Sequence, residues 1–367
     1  MSTVGFDRVA GQRRVKALIA SALGRKRLPH AVLFTGPAGV GKDAMAVAIA
    51  LGFACDDRVP GGCGVCRSCG RMLRLEHPGF QFVQPVPTKP KPMKEEKYFE
   101  ILRERGLARL RNPYRSVTFA PELTTAPVIG IDTVRALRQE SHLMLFGGGT
   151  RVILISGAEC LTVPAANSLL KLLEEPPEDT VILLTSPSPG LLLPTIVSRC
   201  QTLRFDRLSE SDVETALIER WETPPDKARF IARMSGGSLD RALELADGDF
   251  EVRRDSAFQA LEVMFEKNPA ARIERAETFL KNTDKTEMQD ILQMLLALLR
   301  DLQQIRLGRE DGRLDTEAAG SLAAFLRAHP DLDIDRAARS VLRAIDFGQK
   351  NVYLPLILYS LDQVPGN

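Results

Sequence analysis

The stretch GPAGVGKD, Gly36 to Asp43, follows the aliphatic run Ala31–Thr35 and precedes an alanine-rich stretch that predicts a helix. Its spacing, G-x-x-x-x-G-K, is that of a phosphate-binding loop between a strand and a helix. The glycines let backbone N–H groups curl around phosphate oxygens, and the lysine would pair with the outer phosphates. This context favours a nucleotide-binding loop over a plain glycine turn. The candidate nucleotide-binding residues are Gly36, Gly39, Gly41, Lys42 and Asp43.

The residue after the lysine departs from the motif. A phosphate-binding loop has Ser or Thr there, whose hydroxyl ligates Mg²⁺, and this chain has Asp43. The aspartate could offer an oxygen to a metal, or it could neutralise Lys42, but it also places a negative charge beside a triphosphate. The loop therefore leaves the binding of ATP or ADP open.

Hydrolysis of ATP also requires acidic residues at the end of a neighbouring strand. The best candidate strand leads to Ser156 and Gly157, and neither can hold Mg²⁺ or orient water. Glu159 lies two residues farther along the chain. We therefore expect no ATP turnover by this chain alone.

Aliphatic runs alternate with helical patterns through about residue 205. Such runs, joined by helices, predict a parallel sheet that is buried on both faces. Beyond them the pattern is helical, and Ser209 predicts the cap of the first of these helices. The candidate strands are Ala31–Thr35, Val152–Ser156, Val181–Thr185 and Thr202–Phe205.

Length and composition bound the class of protein. A chain of 367 residues predicts two or three domains, and a net charge of +2 argues against a wholly electrostatic DNA binder. The longest apolar run, Ala44–Cys55, is about half of the ~20 residues that a membrane span needs. The amino terminus has no signal-peptide pattern. We therefore expect a cytoplasmic protein with no membrane partner.

Four cysteines, Cys55, Cys63, Cys66 and Cys69, fall within fifteen residues of a glycine-rich segment. A cytosolic chain rarely forms disulfides, and four thiolates suit a closed, tetrahedral, structural Zn²⁺ site. Unliganded thiols and an iron–sulfur cluster are the alternatives. We favour zinc.

A charged, proline-containing insertion covers about residues 84–127. Between Lys89 and Arg115 it has nine basic and four acidic residues, a surplus that could contact a phosphate backbone. Because the acids interleave with the bases, we favour a solvated, partly helical insertion.

Four segments and the cysteines together resemble the AAA+ subunits of the bacterial DNA polymerase III clamp loader. The resemblance covers about residues 1–205, and the pairing of the long leucine-rich segment with Ser-Arg-Cys is specific. The four segments are Val9–Gln12, Leu28–His30, Ala165–Pro177 and Ser198–Cys200.

The resemblance implies the domain organisation. A AAA+ P-loop domain with a parallel sheet would cover residues 1–207, with a zinc module at 55–69 and the insertion at about 84–127. An all-helical lid would cover 208–248, and an all-helical collar for oligomerisation would cover 249–367. Asp240 lies where the family's sensor segment is expected to have an arginine.

The resemblance also implies a function. The family's ATPase subunits have an Asp-Glu pair where this chain has Ser156 and Gly157, so the chain is similar to the delta-prime branch. Arg199, flanked by Ser198 and Cys200, would be an arginine finger that reaches ATP on a neighbouring subunit. The implied partners are the gamma/tau ATPase and delta subunits, with the sliding clamp and primer–template DNA met through the complex.

Two other functions stay open. The chain could be an active ATPase of the gamma type, in which Asp43 and a distant acid hold Mg²⁺. It could instead be a zinc-containing DNA-binding module with a vestigial phosphate loop. ATP turnover by the purified chain would favour the first, and tight, salt-sensitive DNA binding would favour the second.

Overall fold

The computed structural model describes residues 5–25, 27–91, 93–116, 119, 123, 125–143, 145, 148–248, 250–266, 268–281, 285–308 and 319–349. Contacts within the chain divide it into two compact units. The first contains Met1–Arg220 and Gly236–Arg241, and the second contains Trp221–Ser235 and Ala242–Asn367.

The first unit is built on a five-stranded parallel sheet with the order β2-β3-β4-β1-β5. β1, which leads into the phosphate loop, lies between β4 and β5 and is buried along its whole length. The strands are β1 (Ala31–Thr35), β2 (Phe80–Val83), β3 (Arg151–Ile155), β4 (Thr180–Ser186) and β5 (Gln201–Arg204).

The four predicted strands are confirmed to within one residue at each end. The fifth, β2, was not predicted, because its four residues, Phe80–Val83, stand directly before the proline-containing insertion. Its place at the sheet edge, beside β3, suits a short strand. The predicted fold class is confirmed in its architecture, a parallel sheet with helices that is followed by further helices.

Helices cover both faces of this sheet, as a parallel sheet requires. One face packs against a leucine-rich helix and its neighbour, and Leu169 and Leu172 are almost fully buried in that core. Each such leucine contributes about 1.5–3 kcal/mol through burial. The helices are α1 (Arg13–Gly24), α2 (Lys42–Ala54), α3 (Arg67–Leu73), α4 (Glu95–Arg111), α5 (Ile131–Ser141), α6 (Val163–Glu174), α7 (Pro194–Val197) and α8 (Glu210–Trp221).

The insertion contains the long helix α4, as the partly helical interpretation expected. The expectation that the insertion is solvated is wrong for the carboxyl-terminal end of α4 and the turn that follows it. Leu110 and Tyr114 are buried there, with 2% and 4% of their surfaces exposed. The charge pattern missed this burial because it records the average character of the segment and not the apolar positions at one end.

The second unit is helical in the described residues. Helix α10 begins in the first unit and continues into the second. The predicted cap of α8 is confirmed, because Ser209 Oγ accepts a hydrogen bond from the amide of Asp212 at 3.1 Å. The lid and collar boundaries stay a prediction. The helices are α9 (Pro225–Met234), α10 (Leu239–Asp247), α11 (Phe250–Met264), α12 (Pro269–Lys281), α13 (Lys285–Arg306), α14 (Ala319–Ala328) and α15 (Ile334–Gln349). Among the described residues, no helix has both the length and the apolar character of a membrane span.

Candidate nucleotide site, arginine turn and cysteine cluster

The phosphate-loop sequence forms a loop between β1 and α2, as predicted. Gly41 is the N-cap of α2 and has a φ of +99°, a conformation that side chains rarely adopt. Because parallel strands end at one edge of the sheet, this loop lies near the ends of β3 and β4. The loop residues line a cavity of about 300 Å³ together with Ser156, Gly157 and Thr185.

Lys42 is turned onto the loop itself. Its ammonium donates to the carbonyl oxygens of Gly36 and Pro37 at 2.7 and 2.6 Å. Burial lowers the pKa of Lys42, and the carboxylates of Asp43 and Glu159 oppose that shift. Loop carbonyls and nearby acids therefore surround the lysine nitrogen inside the protein.

Asp43 is buried and has its own cation, Arg109, which forms an ion pair with the carboxylate Oδ2. The hydroxyl of Thr185, at the end of β4, donates to Oδ1 at 2.8 Å. The sequence raised metal binding or neutralisation of Lys42 as roles for this aspartate. In the structure its direct cationic partner is the arginine of α4, which was not among the predicted site residues.

Tyr114, three residues after α4, lies against the phosphate loop. A Cβ added at Gly41 would lie 3.2 Å from the tyrosine ring and hydroxyl. The hydroxyl accepts a hydrogen bond from the amide of Ala10 at 2.6 Å, and burial raises the pKa of this tyrosine. Tyr114 was not among the predicted site residues.

Asp240, at the predicted sensor position, also forms hydrogen bonds with a residue of the insertion. The amide of Ser116 donates to its Oδ1 at 2.7 Å, and the Ser116 hydroxyl donates to its Oδ2. Asp240 is 9% exposed and lines the same cavity as the phosphate loop. The carboxylate is thus engaged by a segment that sequence patterns did not connect to it.

The end of β3 has no carboxylate, as the sequence indicated. Ser156 follows the strand, and Gly157 turns the chain with a φ of +68°. Glu159 lies in the next short helical turn and lines the cavity. Its Oε2 is buried and has no hydrogen-bond partner among the described residues.

The four cysteines are brought together. Their sulfur atoms all lie within 4.8 Å of one another, close to the ~3.8 Å separation in a tetrahedral zinc–thiolate site. Amides of Cys63, Cys66 and Cys69 donate to neighbouring sulfurs at 3.3–3.5 Å, which favours thiolates. The four residues lie close enough to bind a zinc ion, and the donor set fits one.

Burial, hydrogen bonds and nearby charges shift the pKa values of the groups in and beside this cluster. Burial raises the pKa of the Cys55 thiol, but amide hydrogen bonds from Cys63 and Val59 outweigh that effect and lower the pKa to about 7. Burial raises the pKa of Cys69. Burial lowers the pKa of the Arg8 guanidinium, and the charges of Cys69 and Cys63 oppose that shift. A cation therefore stands beside the thiol cluster, and sequence spacing gave no sign of it.

Arg199 lies on the turn between α7 and β5, and it is exposed. Its Nε and Nη2 donate to Glu174 Oε1 at 2.9 and 2.7 Å, and its Nη1 donates to the carbonyl of Thr195 at 3.1 Å. Glu174 ends α6, so the leucine-rich segment and the Ser-Arg-Cys turn meet through this ion pair.

The neighbours of Arg199 support the turn. The hydroxyl of Ser198 donates to the carbonyl of Thr195 at 3.1 Å, and burial raises the pKa of Cys200 to about 11. Cys200 packs against the core below α6. Cys160, the remaining cysteine, is half-buried.

Comparison with known proteins gives consistent matches. The family described as "DNA polymerase III, delta subunit" matches residues 11–209. The DNA polymerase III subunit delta' of Bacillus subtilis (strain 168) is 33% identical over 304 residues, which are 82% of this chain and 79% of that protein. The subunit delta' of Pseudomonas aeruginosa is 34% identical over 70% of this chain and 67% of that protein. The tau subunit of Bacillus subtilis is 25% identical over 66% of this chain and 37% of that protein.

Proposed function

The chain belongs to the delta-prime family of DNA polymerase III subunits, and on that premise we propose that it is a clamp-loader subunit that does not hydrolyse ATP. It takes part in loading the sliding clamp during DNA replication. Its partners are the gamma/tau ATPase and delta subunits. It meets the clamp and primer–template DNA through the complex.

One contrast carries the proposal. Arg199 is exposed on a turn near the sheet, whereas the end of β3 has Ser156 and Gly157 where an ATPase needs acids. A guanidinium presents a planar fork of N–H donors that matches phosphate oxygens. In the assembly, Arg199 would reach the γ-phosphate of ATP on a neighbouring subunit.

The chemistry asked of this arginine is electrostatic. Negative charge on the γ-phosphate oxygens and the leaving oxygen is redistributed as the phosphoryl group transfers, and a positioned cation stabilises that state. Arginine fingers contribute about 10³–10⁵ in kcat, which is on the order of 4–7 kcal/mol. That contribution serves the neighbour's site and requires no nucleotide on this chain.

The cysteine cluster serves structure in this proposal. Cys55, Cys63, Cys66 and Cys69 would hold Zn²⁺ with four thiolates, which leaves no open position for a substrate. The metal would fix the segment between α2 and α3. Its chemistry is the closure of a loop and not catalysis.

Reconstitution of the loader with Arg199→Ala tests the arginine finger. We expect ATP-dependent clamp loading to fall by about 10³-fold, because the neighbour's transition state loses its cation. Size-exclusion chromatography should show an intact complex. Arg135→Ala, an exposed arginine on α5, is the matched control and should load normally. Normal loading by the Arg199 variant would overturn the proposal.

A second function, an active ATPase, has one observation in its favour. Glu159 lines the cavity with Lys42 and has a buried, unpartnered oxygen, so it is the acid available to hold Mg²⁺. Measurable ATP turnover by the purified chain, lost in both Lys42→Ala and Glu159→Gln, would favour this function over the non-hydrolysing one.

A further inference from the structure

The carboxyl-terminal end of α4 and the turn after it lie on the candidate nucleotide site. Three side chains of the segment Arg109–Ser116 contact three different parts of that site. Arg109 pairs with Asp43, Tyr114 packs on Gly41, and Ser116 binds Asp240. These pairs are separated by 66 residues for Arg109 and 124 for Ser116, so only the fold brings them together.

We propose that the segment Arg109–Ser116 is a built-in occupant of the chain's own nucleotide site. It holds the phosphate loop, the first turn of α2 and the first turn of α10 in place, as a bound nucleotide does in an ATPase. The segment also excludes ATP from this chain. The proposal concerns the chain's own site and stands independently of Arg199.

The charges are balanced without a ligand. Asp43 is 7% exposed, and a buried carboxylate needs a cation and hydrogen-bond donors. Arg109 supplies the positive charge, and Thr185 supplies a hydroxyl donor. Arg109 therefore compensates the Asp43 carboxylate without a metal ion or a nucleotide. If ATP displaced Arg109, the phosphates would meet the uncompensated Asp43.

The tyrosine closes the middle of the site. Tyr114 is 4% exposed, and its ring contacts Gly41, the glycine that caps α2. Its hydroxyl accepts a hydrogen bond from the amide of Ala10. A ligand that used the Ala10 amide or the space over Gly41 would have to expel a buried aromatic ring.

The far end of the segment is held by Asp240, at the predicted sensor position. An aspartate there repels phosphate, but it accepts both the amide and the hydroxyl of Ser116. The departures at Asp43 and Asp240 thus have one physical explanation. Each carboxylate binds the insertion.

Calorimetric titration with Mg²⁺·ATP tests the occupant. The comparison is between Asp43→Ser, which restores the usual loop hydroxyl, and the same variant with Arg109→Ala and Tyr114→Ala. We expect the opened variant to bind ATP at least about tenfold more tightly, because the segment no longer competes. Equal affinities, whether both tight or both undetectable, would overturn the proposal. Arg103→Ala in the Asp43→Ser background, at an exposed position of α4 outside the segment, is the matched control and should leave the affinity unchanged.

A second measurement covers the case in which the opened variant does not fold. Urea unfolding of Asp43→Asn, Arg109→Ala and the double variant measures the coupling between the two residues. Each single change strands one buried charge, so the double variant should lose less stability than the sum of the single losses. Additive losses would mean that the pair does not hold the segment on the loop.

Discussion

Arg199 is held by its own chain before any partner binds. Glu174 accepts from Nε and Nη2, and the carbonyl of Thr195 accepts from Nη1. The guanidinium is therefore contacted on both sides and has a defined direction. Pre-orientation lowers the entropy lost when a group engages a transition state. At the residue scale, Glu174 is expected to position the proposed arginine finger.

We predict that Glu174→Ala lowers the ATPase kcat of the reconstituted loader by roughly two- to fivefold, because an exposed ion pair is worth up to about 1 kcal/mol. The KM for ATP should change little, since the neighbour's binding residues are intact. The adjacent exposed Glu175→Ala is the matched control. If the double variant, Glu174→Ala with Arg199→Ala, has a lower ATPase kcat than Arg199→Ala alone, Glu174 does not act through Arg199.

At the scale of elements, the cysteine cluster joins two helices. Cys55 follows α2, and Cys69 lies in α3 with Cys66 as the N-cap of that helix. The intervening glycine-rich segment has few apolar side chains of its own. Closure of this loop by a metal would stabilise it, because the ordering cost is offset by four metal–sulfur bonds.

Removal of one ligand tests that element. The purified wild-type chain should contain about one zinc per chain, and Cys69→Ser should lose most of it because a tetrahedral structural site needs all four thiolates. Thermal unfolding of the variant should begin at a lower temperature than that of the wild-type chain. Cys160→Ser, a half-buried cysteine outside the cluster, should keep the metal. Zinc-free wild-type protein would contradict the prediction.

The same scale explains the insertion. Its charges suggested solvation, yet α4 ends with Leu110 buried and Arg109 turned inward. A helix with charged residues on most sides can still bury one end where one of its cations forms an ion pair with a carboxylate of another helix. The partner, Asp43, belongs to α2, 66 residues away along the chain.

At the scale of the whole molecule, charge is nearly balanced. The net charge is +2, and one arginine of the basic insertion is engaged with Asp43. The remaining basic residues on α4 alternate with acids. A nearly balanced charge therefore provides little electrostatic attraction between the isolated chain and DNA.

We predict that the isolated chain binds duplex DNA only in the non-specific range, with a Kd above about 1 µM at physiological salt. Fluorescence anisotropy across a salt series measures both affinity and slope. Nanomolar binding with a steep salt dependence, reduced by Lys91→Ala together with Lys97→Ala, would instead support the DNA-binding module.

The sequence by itself determined the sheet, the phosphate loop and the cysteine cluster. Continuous aliphatic runs produce buried parallel strands, and four of the five strands were located to within a residue, whereas the short edge strand β2 was not predicted. Gly36 and Gly41 allow the positive φ angles that the phosphate loop requires. Cysteine spacing brings the sulfurs together through short, flexible turns.

Only the tertiary structure decided what fills the phosphate-loop site and what holds the exposed arginine. The partners of Asp43, Asp240 and Arg199 lie 66, 124 and 25 residues away, and no periodicity connects them. Sequence patterns report local preferences and the average burial of an element. An ion pair between Asp43 and Arg109 depends on where two elements dock, and docking is set by the packing of the whole unit.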